Sequence, residues 1–188
     1  MADYWETETF GGTTNSNGSA DDDGDDLTDL GEYENSTDPF DPDCDDDALL
    51  DGAEITHGTD PLDADTDDDA MPDGWEVTYA LNALTNDAAF DPDGDRMPNL
   101  GEYGSDTHPR NADSVLRIEH VAPQLGGIRI DWKGGRQAWQ FLECRPDLTT
   151  GAPWTPILAV PPPTPLTNAI IDLGATNRTL FYRIRAER

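Results

Sequence analysis

Apolar residues follow two different patterns along this chain. Over residues 1–113 they are set singly into acidic runs, and four of them recur at fixed intervals: Leu27, Leu49, Met71 and Met97 stand 22, 22 and 26 residues apart. Each is followed by a short segment such as Gly31-Glu32-Tyr33 or Gly74 to Leu81, long enough for about one or two helical turns. Tyr33, Ile55, Trp75, Tyr79 and Tyr103 are expected to cover the lone apolar side chains. Pro39, Pro61 and Pro109 are expected to end the turns, since proline cannot extend a helix. From residue 114 the pattern becomes period two: Val115–Ile118, Ile128–Trp132, Trp139–Cys144, Trp154–Leu158, Ile170-Ile171 and Leu180–Ile184. Such runs, separated by Gly, Pro and Asn, predict antiparallel strands in a small β-sandwich. Leu125-Gly126-Gly127 and Lys133-Gly134-Gly135 read as hairpin turns, and Pro161 to Pro163 with Pro165 as a stiff crossing between sheets.

The acids around the lone apolar residues keep a strict phase. The second copy has Asp43, Asp45, Asp47, Asp51 and Glu54 at positions 1, 3, 5, 9 and 12 of a twelve-residue loop, with Leu49 at position 7. The first copy has Asp21, Asp23, Asp25, Asp29 and Glu32; the third Asp65, Asp67, Asp69, Asp73 and Glu76; the fourth Asp91, Asp93, Asp95, Asn99 and Glu102. This ladder matches the EF-hand-like calcium loop except at position 6. Ca²⁺ is a hard cation that takes six to eight oxygens at about 2.3–2.6 Å, and alternate acids supply them as the chain curls round the ion. These twenty residues are the candidate ligands, for about three to four Ca²⁺ ions. A solvated acidic run is the ordinary fate of such composition. It does not account for Leu, Leu, Met and Met at position 7, or Glu at position 12, in every copy.

Position 6 of the motif is glycine because the loop turns sharply there with positive φ. This chain has Asp26, Ala48, Ala70 and Arg96 instead. Alanine and arginine pay roughly 1–2 kcal/mol in that conformation. With Arg96 also adding positive charge, the fourth site is expected to be the weakest.

Charge sharpens the division. Residues 1–113 carry 34 acids and 2 bases, net −32, and residues 114–188 carry 6 acids and 9 bases, net +3. The first part has too little apolar area to collapse against that repulsion, and divalent ions would remove it. So acidic a surface argues against nucleic acid and anionic membrane as partners. No apolar stretch approaches the roughly 20 residues of a membrane span, and no secretory signal is visible. Cys44, at position 2 of its loop, is expected to face solvent, and its pairing with Cys144 stays open.

Three regions are expected: residues 1–20 as a remnant of a preceding repeat plus a flexible linker, 21–113 as four calcium-loop repeats, and 114–188 as the sandwich. The remnant is inferred because Asp3, Trp5 and Glu6 parallel Asp73, Trp75 and Glu76, the alternative being a chance Trp-Glu pair. The chain then reads as the C-terminal part of a longer polypeptide, with the neighbouring domains among its partners.

With the exits Thr37-Asp38-Pro39 and Thr59-Asp60-Pro61, the loops resemble bacterial thrombospondin type 3 repeats, over roughly residues 21–113. The resemblance implies an extended calcium-wrapped stalk on secreted or surface proteins, with Asp38 and Asp60 as outer groups around the ions. The C-terminal region, through Ile130-Asp131-Trp132, Asp147-Leu148 and Phe181-Tyr182-Arg183, looks like the fibronectin type III-like modules that follow such repeats. The fold class is therefore mixed: an irregular calcium-loop array with short helical turns, then a small antiparallel β-sandwich.

The leading functional expectation is a calcium-stabilised extracellular spacer or stalk. Loops lacking the glycine would still fill at the near-millimolar calcium found outside cells, where sites of about 10⁻⁴–10⁻³ M suffice. The alternative is an adhesion module whose sandwich binds cell-surface polysaccharide or protein through Trp132, Trp139 or Trp154; tryptophans in sandwiches are more often core. A dockerin-like module is disfavoured by four closely spaced copies without long helices. An enzyme is not expected, because the acids are used as ligands and His57, His108 and His120 lie in no nucleophile or metal motif.

Overall fold

The computed structural model describes residues 1–13, 18–149, 151–175 and 179–188, so residues 14–17 of the expected linker lie outside the described residues. Among the described residues the protein is mixed helix and β: five short helices, then two antiparallel sheets of three strands. Two compact units divide it, Met1–Asp87 and Ala88–Arg188, so the fourth acidic loop is grouped with the strands. Among the described residues no helix is long and apolar enough to cross a membrane.

The helices are α1 (Asp3–Phe10), α2 (Asp29–Asn35), α3 (Asp51–His57), α4 (Asp73–Tyr79) and α5 (Asn99–Ser105). The last four each begin at position 9 of an acidic loop, with a first turn carrying the position-12 glutamate. Each ends after seven residues on a left-handed cap: Ser36, Gly58, Ala80 or Asp106. The second residue past the helix then donates its amide to the glutamate carbonyl, as Thr37 does to Glu32 and Thr107 to Glu102. That is the Schellman arrangement, and it stops the helix before any proline is reached. The expectation that Pro39, Pro61 and Pro109 end the turns is corrected, and α4 ends the same way with no proline in its exit.

The short helices bury little apolar surface. Leu49, Met71 and Trp75 are buried, whereas Ile55 is 41% exposed. Trp75 packs on Tyr79 with ring centroids 5.0 Å apart, and Trp5 of α1 meets Tyr33 edge-on at 5.2 Å.

In the second unit, β1 (Arg117–Gln124), β2 (Gly127–Lys133) and β5 (Thr167–Asp172) form one sheet in the order β1-β2-β5. The other has the order β4-β3-β6, from β4 (Thr155–Val160), β3 (Trp139–Arg145) and β6 (Phe181–Glu187). The alternating side chains put Ile130, Trp132 and Leu142 in a core flanked by Ile118, Ile128, Leu158, Ile170 and Ile184. Leu125-Gly126 makes the expected tight turn between β1 and β2, with Gly126 at φ 90°. Lys133-Gly134-Gly135 is not a hairpin turn, because β2 and β3 belong to different sheets. Its Gly135 is required by close packing on the Ser105 and Asp106 carbonyls at the end of α5. The Asp106 carboxylate also accepts from the Arg136 and Gln137 amides, each at 2.8 Å.

Candidate metal centre

Each acidic loop is a coil of amide-to-carboxylate hydrogen bonds. The position-1 aspartate accepts from the position-6 amide in all four: Asp21 from Asp26, Asp43 from Ala48, Asp65 from Ala70 and Asp91 from Arg96, at 3.3, 3.0, 2.8 and 2.9 Å. The position-5 aspartate accepts from the position-7 amide, as Asp25 does from Leu27 at 2.6 Å and Asp95 from Met97 at 2.8 Å. To make this coil, position 6 takes positive φ in every copy: Asp26 73°, Ala48 77°, Ala70 72° and Arg96 81°. The backbone takes the conformation that favours glycine although none of the four residues is glycine. Position 4 is left-handed as well, through Gly24, Asp46, Asp68 and Gly94. The sequence reading missed that second turn, although the glycines of the first and fourth copies marked it.

This coil gathers Asp21, Asp23 and Asp25 so that one carboxylate oxygen from each lies within 4.8 Å of the others; Asp43, Asp45 and Asp47, Asp65, Asp67 and Asp69, and Asp91, Asp93 and Asp95 do likewise. Against each triad stands the position-12 glutamate. Glu32, Glu54, Glu76 and Glu102 are each 0% exposed, and neither oxygen of any of them accepts a hydrogen bond. Burial, followed by the neighbouring aspartates, pushes all four glutamates from the ordinary 4.5 up to about 8. The Thr59 and Thr107 hydroxyls temper the shift for Glu54 and Glu102 without reaching hydrogen-bond geometry. Burial likewise raises Asp23, Asp67 and Asp73, and lifts Asp45 to about 6. Buried carboxylates are normally paired or hydrogen-bonded, because desolvating them is costly. No ion pair reaches these glutamates among the described residues, while pairs such as Arg129–Asp131 and Arg183–Glu143 lie in the strand region. Hard oxygen donors, buried and lacking their own protein donors, fit a hard cation. The acidic groups could hold metal ions.

Position 9 braces the loop as well, using one oxygen of Asp51 while the other is buried and accepts no hydrogen bond. The Asp51 carboxylate accepts from the Cys44 amide at 2.9 Å, and that of Asp73 from the Thr66 amide at 3.1 Å and the Thr66 hydroxyl at 2.6 Å. It locks position 2 of its own loop to the start of the helix. Asp29 and Asn99 are fully buried at the same place. The position-2 side chain in turn accepts from the preceding exit. Asp38 donates its amide to Cys44 Sγ at 3.3 Å, and Asp60 donates its amide to the Thr66 hydroxyl at 2.9 Å. Cys44 is therefore half-buried rather than turned wholly to solvent as expected; burial, then the Asp51 carboxylate, pushes its thiol up to about 12. No disulfide joins it to Cys144. Asp38 and Asp60 form local turns, accepting from the Phe40 and Leu62 amides, and His108 Nδ1 does the same for Arg110. His108 in turn donates its amide to the Ser114 hydroxyl at 3.0 Å, so Asp113-Ser114 begins like a further loop before the strands take over.

The tryptophans of the sandwich have three fates. Trp132 is core, donating its indole N–H to Gln140 at 2.7 Å. Trp154 is half-buried beneath the Arg145 and Arg183 guanidiniums. Trp139 is 44% exposed and stacked on Phe141, their planes 18° apart. Comparison with known proteins finds no matching family model, no matching curated protein and no matching solved structure.

Proposed function

We propose that the four acidic loops are a calcium-binding repeat array of the thrombospondin type 3 kind. It acts as an ion-dependent spacer outside the cell, with a fibronectin type III-like sandwich at its end. The observation that carries this reading is the position-12 glutamate, fully buried in all four loops, with two bare oxygens and aspartates of its own loop as charged neighbours. Calcium supplies the positive charge that this many buried carboxylates lack. The residues at positions 1, 3, 5 and 9 and the glutamate would hold it, with position 9 also bracing the loop. Metal binding and folding are then one equilibrium, because the unfolded chain has no preformed site. A hard oxygen set with neither thiolate nor imidazole selects Ca²⁺ over softer ions.

Calorimetric titration of the full chain with Ca²⁺, with far-UV circular dichroism before and after chelation, tests the proposal. The expected result is three to four bound ions and loss of the signal from α2 to α5 on chelation, with the β signal retained. A chain that retains no ions at millimolar Ca²⁺ would refute it.

A second reading, adhesion through the sandwich, is favoured by the exposed Trp139–Phe141 stack with Arg185 over the Phe141 ring at 4.2 Å. Planar aromatic faces suit sugar rings, and flanking arginines suit acidic groups. Glycan binding abolished by Trp139→Ala with the strands intact would support it, and an unaltered binding profile would count against it.

A further inference from the structure

The third loop differs from the others in what closes its far side. In the first loop, the second oxygen of Asp25 accepts from the Gly52 amide at 2.8 Å; in the second, that of Asp47 accepts from the Gly74 amide at 2.6 Å. Both donors are glycines, and they bring no side chain. In the third loop the same oxygen of Asp69 accepts from the Asp87 amide at 3.0 Å, so the equivalent donor carries a carboxylate. An oxygen of Asp87 lies within 4.8 Å of oxygens of both Asp69 and Glu76. Asp69 and Asp87 are almost fully buried, and Glu76 is entirely so, with neither oxygen hydrogen-bonded. Asp87 is held there by the linker, whose Asn82 amide donates to its carboxylate at 3.4 Å while Thr85 closes a turn on the Asn82 carbonyl.

We infer that Asp87 is an additional metal ligand of the third loop, supplied by the linker rather than by the twelve-residue motif. Asp69 then belongs to two oxygen groups, one with Asp65 and Asp67 and one with Glu76 and Asp87. Two carboxylate oxygens on one calcium can be no further apart than about twice the usual Ca–O distance, roughly 5 Å, and both groups satisfy that. The third site thus has one anionic ligand more than its neighbours and is the tightest of the set. The four extra residues between the third and fourth copies are what allow the linker to fold back and deliver it.

This inference rests on the calcium reading above, and its test separates the two. Calcium titrations would be run on the full chain, on Asp87→Asn and Asp87→Ala, and on an exposed control, Asp63→Asn. Both Asp87 variants keep the backbone amide that caps Asp69, so only the side chain is tested. The expected outcome is that one site, the tightest, weakens by about tenfold or more in both, while the remaining sites and the control are unchanged. Unchanged affinities, or uniform weakening of all sites, would overturn the role of Asp87 and leave the calcium reading standing. A wild-type chain that binds no Ca²⁺ would remove both.

Discussion

Gly52 lies directly beneath Asp25: its amide donates to the Asp25 carboxylate, and a Cβ on Gly52 would stand 2.5 Å from the Asp25 carbonyl oxygen. Gly74 bears the same relation to Asp47, at 2.6 Å. These glycines sit at position 10 of the second and third loops, where the backbone of the preceding loop comes down on the start of α3 or α4. The first and fourth loops have leucine at position 10 and glycine at position 11. There the amide goes to the loop's own approach segment, Leu30 to Gly18 and Leu100 to Ala88.

Gly52→Ala and Gly74→Ala should therefore separate adjacent loops. Overpacking against a rigid backbone costs about 1–3 kcal/mol, and the capping bond is strained with it. Chemical denaturation in saturating calcium should show this loss for both variants. Gly104→Ala, whose added methyl meets nothing, should be close to neutral. Equal stability of all three would contradict the packing described.

Restoring glycine at position 6 should tighten the loops. Ala48, Ala70 and Arg96 hold φ between 72° and 81°, a conformation that costs a side-chain-bearing residue roughly 1–2 kcal/mol. Glycine gives part of that back as unfolded-state entropy, leaving a gain of about 1 kcal/mol, or roughly fivefold in calcium affinity at the altered loop. Ala48→Gly and Ala70→Gly, followed by calcium titration, measure it. Weaker binding in both would mean the turn is not the limiting feature.

Glu32, Glu54, Glu76 and Glu102 rise from 4.5 to about 8 in the folded chain without metal. An acid whose folded pKa is raised stabilises fully below its unfolded value and loses that contribution as pH climbs through the folded one. Metal-free protein should thus be more stable at pH 5 than at pH 8.5. Calcium competes with the same protons, so affinity should increase with pH up to about 8 and then level off. Circular dichroism of the chelated chain should show more helical signal at pH 5 than at pH 8.5. Equal signal at the two values would contradict the shifts.

The sandwich should be indifferent to calcium but sensitive at Gln140. That side chain is fully buried, accepts from the Trp132 indole and donates to the Gly135 carbonyl at 2.7 Å and to the Thr164 hydroxyl at 3.1 Å. Gln140→Ala strands several of these groups, at about 1–3 kcal/mol for each donor or acceptor left unmet. Thermal unfolding followed by near-UV dichroism should report it equally with and without chelator.

The strands were legible where the period-two runs are long, as in Ile128–Trp132 and Trp139–Cys144; β1 (Arg117–Gln124) shares only two residues with the run Val115–Ile118, because most of that edge strand is exposed and does not alternate. The oxygen ladder was legible because ligand spacing is local, and the loop coil brings Asp43, Asp45 and Asp47 together much as their intervals suggest. What escaped depends on residues distant in sequence. Gly52 reads as a spare glycine until Asp25, 27 positions earlier, is placed above it. Asp87 reads as linker until the turn at Asn82 brings it to Asp69. Lys133-Gly134-Gly135 mimicked a hairpin because its glycine answers to α5 rather than to a turn. The helix stops were assigned to proline because a left-handed cap on Ser36, Ala80 or Asp106 has no glycine to announce it.

The glycine beneath each inner loop has an architectural corollary. A 22-residue block from Asp43 to Ala64 carries both halves of one joint, the recess at Gly52 and the overhanging carboxylate of Asp47. Such a block fits onto a copy of itself. Its length is a unit of growth: an in-frame duplicate would offer the same recess to the same carboxylate, whereas a copy with leucine in place of that glycine would have no room for the overhanging backbone.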